Sequence, residues 1–189
     1  MAAKMQVVSN PVLAIFASDR GPGDAERSSI MSQAGTYLAK RGAKLVCLAE
    51  DGVIPVPLVT AARAAGGEVQ IIADDNVVLP KALASVPIEV ISDRDARFAR
   101  IALLADAYVG LPGSLASSTG LFGAWTAAKA AGRHCPVVLL NKNRAFEVLR
   151  GYAADVLSPG LRGYDRVVQF TDNIEDLWSR IGRLINESR

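Results

Sequence analysis

Short apolar runs alternate with longer amphipathic ones along most of this chain. Val12 to Ala17 follows Pro11 and ends at the turn-rich Ser18-Asp19-Arg20-Gly21-Pro22-Gly23, which reads as a buried strand and its loop. Asp24 to Arg41 then places Ile30, Ala34, Tyr37 and Leu38 at helical spacing and meets a stop at Gly42. Ala43 to Leu48 is a second strand, Val56 to Ala65 a short helix broken by Gly66-Gly67, and Val69 to Ala73 a third strand. Beyond a looser stretch with Pro80 and Pro87, strands are expected at Ile88 to Ile91, Ala107 to Leu111, Pro136 to Asn141 and Val167 to Phe170. Helices are expected between and after them, at Asp93 to Leu104, Leu121 to Ala131, Arg144 to Ala154 and Asn173 to Asn186. The last of these carries Ile174, Leu177, Trp178, Ile181, Leu184 and Ile185 on its inner side.

Strands and helices alternating in this way predict an α/β fold: a three-layer, doubly wound, mostly parallel sheet with helices on both faces. No repeat of fixed period appears, and nothing in the composition marks a linker, so residues 1–189 are expected to form a single domain. In such a sheet, ligands gather at the carboxyl ends of the strands where strand order reverses. Loops 18–23, 49–53 and 112–119 should all open at that edge.

Composition narrows the function classes. Half the residues are hydrophobic and 21% are charged, which suits a packed core rather than disorder. A net charge of +2, with no basic block and no aromatic stripe, gives no nucleic-acid or membrane surface. No leader pattern and no membrane-length apolar run is present, so a cytoplasmic location is expected. Cys47 and Cys135 each sit in or beside a strand-like run and read as buried reduced thiols, and with His134 as the single histidine no metal site is expected.

The stretch Asp106 to Gly120 carries the chemistry. Pro112-Gly113 ends a buried strand, and Ser114, Ser117, Ser118 and Thr119 place small hydroxyls ahead of a helix whose first amide groups have no intrahelical acceptor. Such an end attracts phosphate. The same serines also suit a capped turn that binds nothing. Arg94, Arg97 and Arg100 repeat every three residues and share a broad helix face; a guanidinium there suits a phosphate or carboxylate, or simply coats a solvated surface.

These residues resemble the lonely guy (LOG) and lysine-decarboxylase-like family of Rossmann-like proteins, within the wider SLOG nucleotide-binding group. The resemblance rests on Ala105 to Gly113, Leu121-Phe122 with Trp125-Thr126, Pro136 to Asn141, and Ala64 to Gly67, which fall at the family's spacing. It implies a small-molecule nucleotide or phosphate ligand, pairing into homodimers through helices such as the one around Trp125, and no separate cofactor. The family's activity is removal of ribose 5′-monophosphate from a nucleoside monophosphate such as a cytokinin nucleotide, using an Arg and a Glu. Arg97 matches that Arg, whereas Gly120 occupies the position of the Glu. Breaking an N-glycosidic bond builds positive charge on the sugar that a carboxylate stabilises, and glycine supplies none.

Other positions depart as well. Ser114 replaces the second glycine of the family's Pro-Gly-Gly, Ala116-Ser117 replaces Gly-Thr, Leu48-Ala49-Glu50 replaces a triple glycine, and Asp19-Arg20 stands where the family has two serines. Each lost glycine costs backbone freedom or close approach to a phosphate. The resulting expectation is a catalytically impaired ligand-binding protein, its altered pocket drawn from Arg20, Arg97, Gly113, Ser114, Ala116, Ser117, Ser118 and Thr119. Three alternatives stay open: an active phosphoribohydrolase in which Glu50 or Asp19 replaces the missing Glu; an NAD(P)-binding oxidoreductase using Glu50 on a ribose hydroxyl; and a structural or partner-binding role.

Overall fold

The computed structural model describes residues 10–18, 25–157 and 166–188, with the side chains of residues 115, 116, 156 and 157 outside that set. Seven strands lie in it: β1 (Val12–Phe16), β2 (Lys44–Ala49), β3 (Val69–Ala73), β4 (Ile88–Val90), β5 (Ala107–Gly110), β6 (Val137–Leu140) and β7 (Val168–Thr171). They form one parallel sheet in the order β4-β3-β2-β1-β5-β6-β7. The chain winds outward from β1 to β4, then crosses back to β5 on the other side of β1. The reversal therefore falls between β1 and β5, and the crevice at their carboxyl ends is the natural ligand position.

Helices cover both faces, giving the doubly wound, Rossmann-like α/β architecture the sequence predicts. α1 (Ala25–Lys40), α2 (Val56–Ala64) and the C-terminal α6 (Ile174–Glu187) bury their apolar stripes against Leu13, Ile15, Leu45, Ile71 and Val109. α3 (Arg94–Leu104) and α4 (Leu115–Ala130) pack on the opposite face, against Ala14, Phe16, Val46 and Tyr108. Strict alternation along β1 sends Leu13 and Ile15 to one core and Ala14 and Phe16 to the other, as a strand covered on both sides requires. Tyr108 is fully buried, edge-on to Phe16 at 5.8 Å, and its hydroxyl donates to the Ala124 carbonyl at 3.1 Å. α1 and α2 approach so closely at Gly35 that an added Cβ would lie 2.4 Å from the Leu58 carbonyl oxygen.

Two elements differ from the sequence expectation. α4 begins at Leu115, not Leu121, because Ser114 and Ser117 form a reciprocal capping box that starts the helix directly behind β5. The helix expected from Arg144 is instead a 3₁₀ turn (Lys142–Arg144), then α5 (Glu147–Tyr152) running into a π-helical turn (Ala153–Leu157). Asn143 and Arg144 adopt left-handed φ values of 55° and 60°. Asn141 fixes this turn: buried at the end of β6, it accepts from the Phe146 N–H at 2.7 Å and donates to Glu147 at 2.8 Å.

Cys47 and Cys135 are buried and unpaired, and burial pushes the Cys47 thiol up to about 12. Among the described residues no helix is long and apolar enough to cross a membrane, and no group of three or more His, Cys, Asp or Glu could hold a metal ion. His134 is exposed.

Candidate functional site

The carboxyl edge at the strand reversal brings together Ser18 after β1, the turn after β2, and the β5–α4 loop. Beyond β2 the chain turns at Asp51 and Gly52, both with positive φ (53° and 72°), and closes with the Val53 N–H on the Glu50 carbonyl at 2.9 Å. Buried Asp74, at the end of β3, pins this turn: its carboxylate accepts from the Asp51 N–H at 2.6 Å and the Asn76 N–H at 3.0 Å. Glu50 is thereby held at the edge on a fixed backbone.

Its carboxylate is the focus of an ion cluster. Arg97 Nη2 donates to Glu50 Oε1 at 3.0 Å, and Arg94 reaches the same oxygen through Nε at 3.1 Å and Oε2 through Nη2 at 3.4 Å. Arg97 is 5% exposed, and its Nη1 donates to the carbonyls of Ile91 and Ser92, both at 2.7 Å, binding the β4–α3 connection to the β2 turn. Arg94 is half exposed, with its guanidinium 5.2 Å from the Phe98 ring centroid. The Glu50 carboxylate, first as hydrogen-bond acceptor and then as charge, holds Arg94 above its ordinary range. The three arginines thus do not share one environment: Arg97 is buried, while Arg100 turns to Glu89 at 3.0 Å on the partly exposed side.

The β5–α4 loop is a capped helix start. Ser114 Oγ accepts from the Ser117 N–H at 3.4 Å, Ser117 Oγ accepts from the Ser114 N–H at 3.1 Å and donates to the Ser114 carbonyl at 2.8 Å, and Ser118 Oγ donates to that carbonyl at 3.3 Å. Three hydroxyls expected to face a ligand therefore serve the helix itself. Thr119 lies farther along the same helix, beside a second cavity. Gly113 sits against the β1 loop; a Cβ there would stand 2.5 Å from Ser117 Oγ and 3.2 Å from the Ser18 nitrogen. Arg20 and Asp19 lie outside the described residues, and nothing is described of the Ala116 side chain.

Gly120 is inside α4 and faces inward. A Cβ at this position would lie 2.7 Å from Leu48 Cδ2 and 3.6 Å from the Phe16 ring. Two departures from the family pattern, Leu48 for a glycine and Gly120 for a glutamate, are thus two sides of one contact. Beside this contact is a narrow cleft lined by Phe16, Ala17, Ser18, Leu48, Glu50, Val53 and Ser117, with about 20 Å³ of free space. That is room for about one water and no more.

A larger cavity, about 590 Å³, lies along α4 toward α5. Phe98, Phe122, Trp125, Leu139, Phe146, Leu149, Tyr152 and Phe170 line it, with Arg94, Ser118 and Thr119 at its polar end. Asp74 and Asn141 are anchors that sequence reasoning did not single out. The Asp-Asp-Asn run directly after β3, and an Asn closing an otherwise apolar strand, were the available signals.

No family model matches the chain, and no curated protein matches it. Solved structures do. The chain is similar to the molybdenum cofactor carrier protein MCP of Chlamydomonas reinhardtii, with TM-score 0.66 and 17% identity over 94% of this chain and 99% of that one. It is similar to TM1055, a structural genomics target, with TM-score 0.63 and 22% identity over 92% and 99%. It also matches the molybdenum cofactor binding protein of Rippkaea orientalis, with TM-score 0.62 and 17% identity over 94% and 99%. These likenesses show that the fold of this chain is shared with those proteins.

The Leu48–Gly120 contact sets a prediction. Gly120→Glu should destabilise the protein by about 1–3 kcal/mol through overpacking. In a thermodynamic cycle with Leu48→Ala, denaturant unfolding should show a favourable coupling of roughly 1 kcal/mol, because the smaller side chain yields the space.

Proposed function

We infer that this chain is a ligand-binding protein with a LOG-type fold whose hydrolytic chemistry is lost, and that its ligand is a small phosphorylated molecule such as a nucleotide. The observation that carries this reading is the packing of Leu48 and Phe16 over Gly120, at the position where the family's glutamate would act on the sugar. The Glu50 carboxylate on the turn after β2 does not compensate. Glu50 Oε1 already accepts from two guanidinium groups, so it is poorly placed to orient a water for attack on a glycosidic carbon. The same engagement argues against Glu50 as the acceptor for a ribose diol in a dinucleotide site, since the diol would have to displace both arginines. The structural neighbours include proteins described as carrying or binding the molybdenum cofactor, which favours binding or carriage over turnover.

The phosphorylated end of the ligand is assigned to the crevice between β1 and β5, where the first turn of α4 and the turn carrying Glu50 line one cleft. There the Leu115 and Ala116 amide groups have no intrahelical acceptor by helix geometry. Incubation with adenosine 5′-monophosphate, and with a cytokinin monophosphate, should release no free base by chromatography. The same nucleotides should raise the melting temperature at millimolar concentration. Base release at an enzymatic rate would overturn the impaired reading, and an unchanged melting temperature with every nucleotide would overturn the ligand assignment.

A second observation favours pairing of two copies. Phe122, Tyr152 and Leu149 are 61%, 56% and 45% exposed around the 590 Å³ cavity, on α4 and α5. A contiguous apolar surface of this kind marks a contact site, and a closed two-fold pairing is its commonest form. Sedimentation should give a dimer for the native chain and a monomer for Phe122→Glu, with helical content retained. A native monomer at micromolar concentration would remove this reading.

A further inference from the structure

The Arg97–Arg94 pair is a built oxyanion site, and an internal carboxylate fills it. Glu50 accepts from Arg97 Nη2 and Arg94 Nε on one oxygen and from Arg94 Nη2 on the other, the arrangement a carboxylate or phosphate ligand would adopt between two guanidinium forks. Arg97 is 95% buried by the same 5% exposure noted above, and its Nε, also buried, has no acceptor. A buried guanidinium with an unmet donor is a costly arrangement that an external oxyanion of different shape could complete.

The surroundings fit an exchangeable plug better than a fixed core pair. Glu50 lines the cleft at the strand reversal, and its side chain keeps 10% exposure there. Its backbone is held by the Asp51 N–H bond to Asp74 and by the Val53 N–H bond to its own carbonyl. Departure of the carboxylate therefore requires only side-chain rotation, with no movement of β2. The cleft as it stands is too small for a phosphate, and Glu50 is the one charged side chain in its lining. Arg94 is half exposed and can follow an incoming anion, whereas Arg97 is immobilised by the Ile91 and Ser92 carbonyls.

We propose that Glu50 is a tethered competitor for the Arg94–Arg97 oxyanion site, and that a phosphate monoester or carboxylate ligand binds by displacing it. This rests on the reading that a phosphorylated ligand enters at this edge, and it names the residues that read its charge. No bond is made or broken; one oxyanion replaces another. The site is closed to weak anions and opens only to a ligand whose remaining contacts outweigh the tethered carboxylate, which makes Glu50 a selectivity filter against free phosphate.

The test compares the native chain, Glu50→Ala, Glu50→Gln and Glu50→Ala/Arg94→Ala, using sodium acetate, inorganic phosphate and adenosine 5′-monophosphate against sodium chloride of equal ionic strength. Glu50→Ala should melt several degrees below the native protein and recover saturably with 10–50 mM acetate or phosphate, roughly in the manner of mass-action linkage. The native protein should show no anion-specific shift with either probe. Calorimetric titration of Glu50→Gln, which preserves shape, should give phosphate affinity at least about tenfold above native, and adding Arg94→Ala to Glu50→Ala should weaken anion rescue at least about fivefold. Equal responses to chloride, acetate and phosphate in both single variants would overturn the proposal, as would rescue that persists undiminished without Arg94. If the native chain binds the nucleotide but neither single variant gains phosphate affinity, the plug is wrong and the ligand reading stands. If the variants gain phosphate but no form binds the nucleotide, the plug stands and the nucleotide reading fails.

Discussion

The carboxyl edge of this protein's sheet depends on a buried guanidinium. Arg97 enters the interior from α3 and bonds at once to the carbonyls of the β4–α3 connection and to Glu50 on the turn after β2. A charge so placed is tolerable only while an oxyanion stays against it, because removing one member of a buried pair strands the other. Much of the edge follows from that requirement. Glu50 must be held within reach, so the turn carrying it is fixed by two positive-φ residues and by buried Asp74. Arg94 then shares the carboxylate from the solvent side.

Leu48 near the end of β2 and Glu50 on the turn after it fill the space between β1, β2 and α4 from within. Gly120 is what allows α4 to lie against Leu48; any side chain there would press on it.

Hydrophobic periodicity made the fold legible. The strands fall within about a residue of the expected ends, because runs such as Val137 to Leu140 are apolar on both faces and bounded by Pro136 and Asn141. The start of α4 does not, since Ser114 to Gly120 is small and polar and lacks an apolar stripe; the helix there is nucleated by a Ser–Ser capping box rather than by burial. The break after β6 was hidden for a similar reason, as Asn141 acts through contacts five and six residues ahead. In the site, Arg97, Glu50 and Gly120 could each be singled out in the sequence. That Glu50 meets Arg97 across 47 positions, and that Leu48 meets Gly120, is tertiary information no local pattern contains.

The most direct measurement is a double-mutant cycle of Glu50→Gln and Arg97→Met followed by urea unfolding. If the two side chains hold one another as described, the double variant should be less damaged than the sum of the singles, with a coupling of at least about 1.5 kcal/mol. Additivity to within about 0.3 kcal/mol would mean that Arg97 is stabilised without Glu50, and the account of this edge would be wrong.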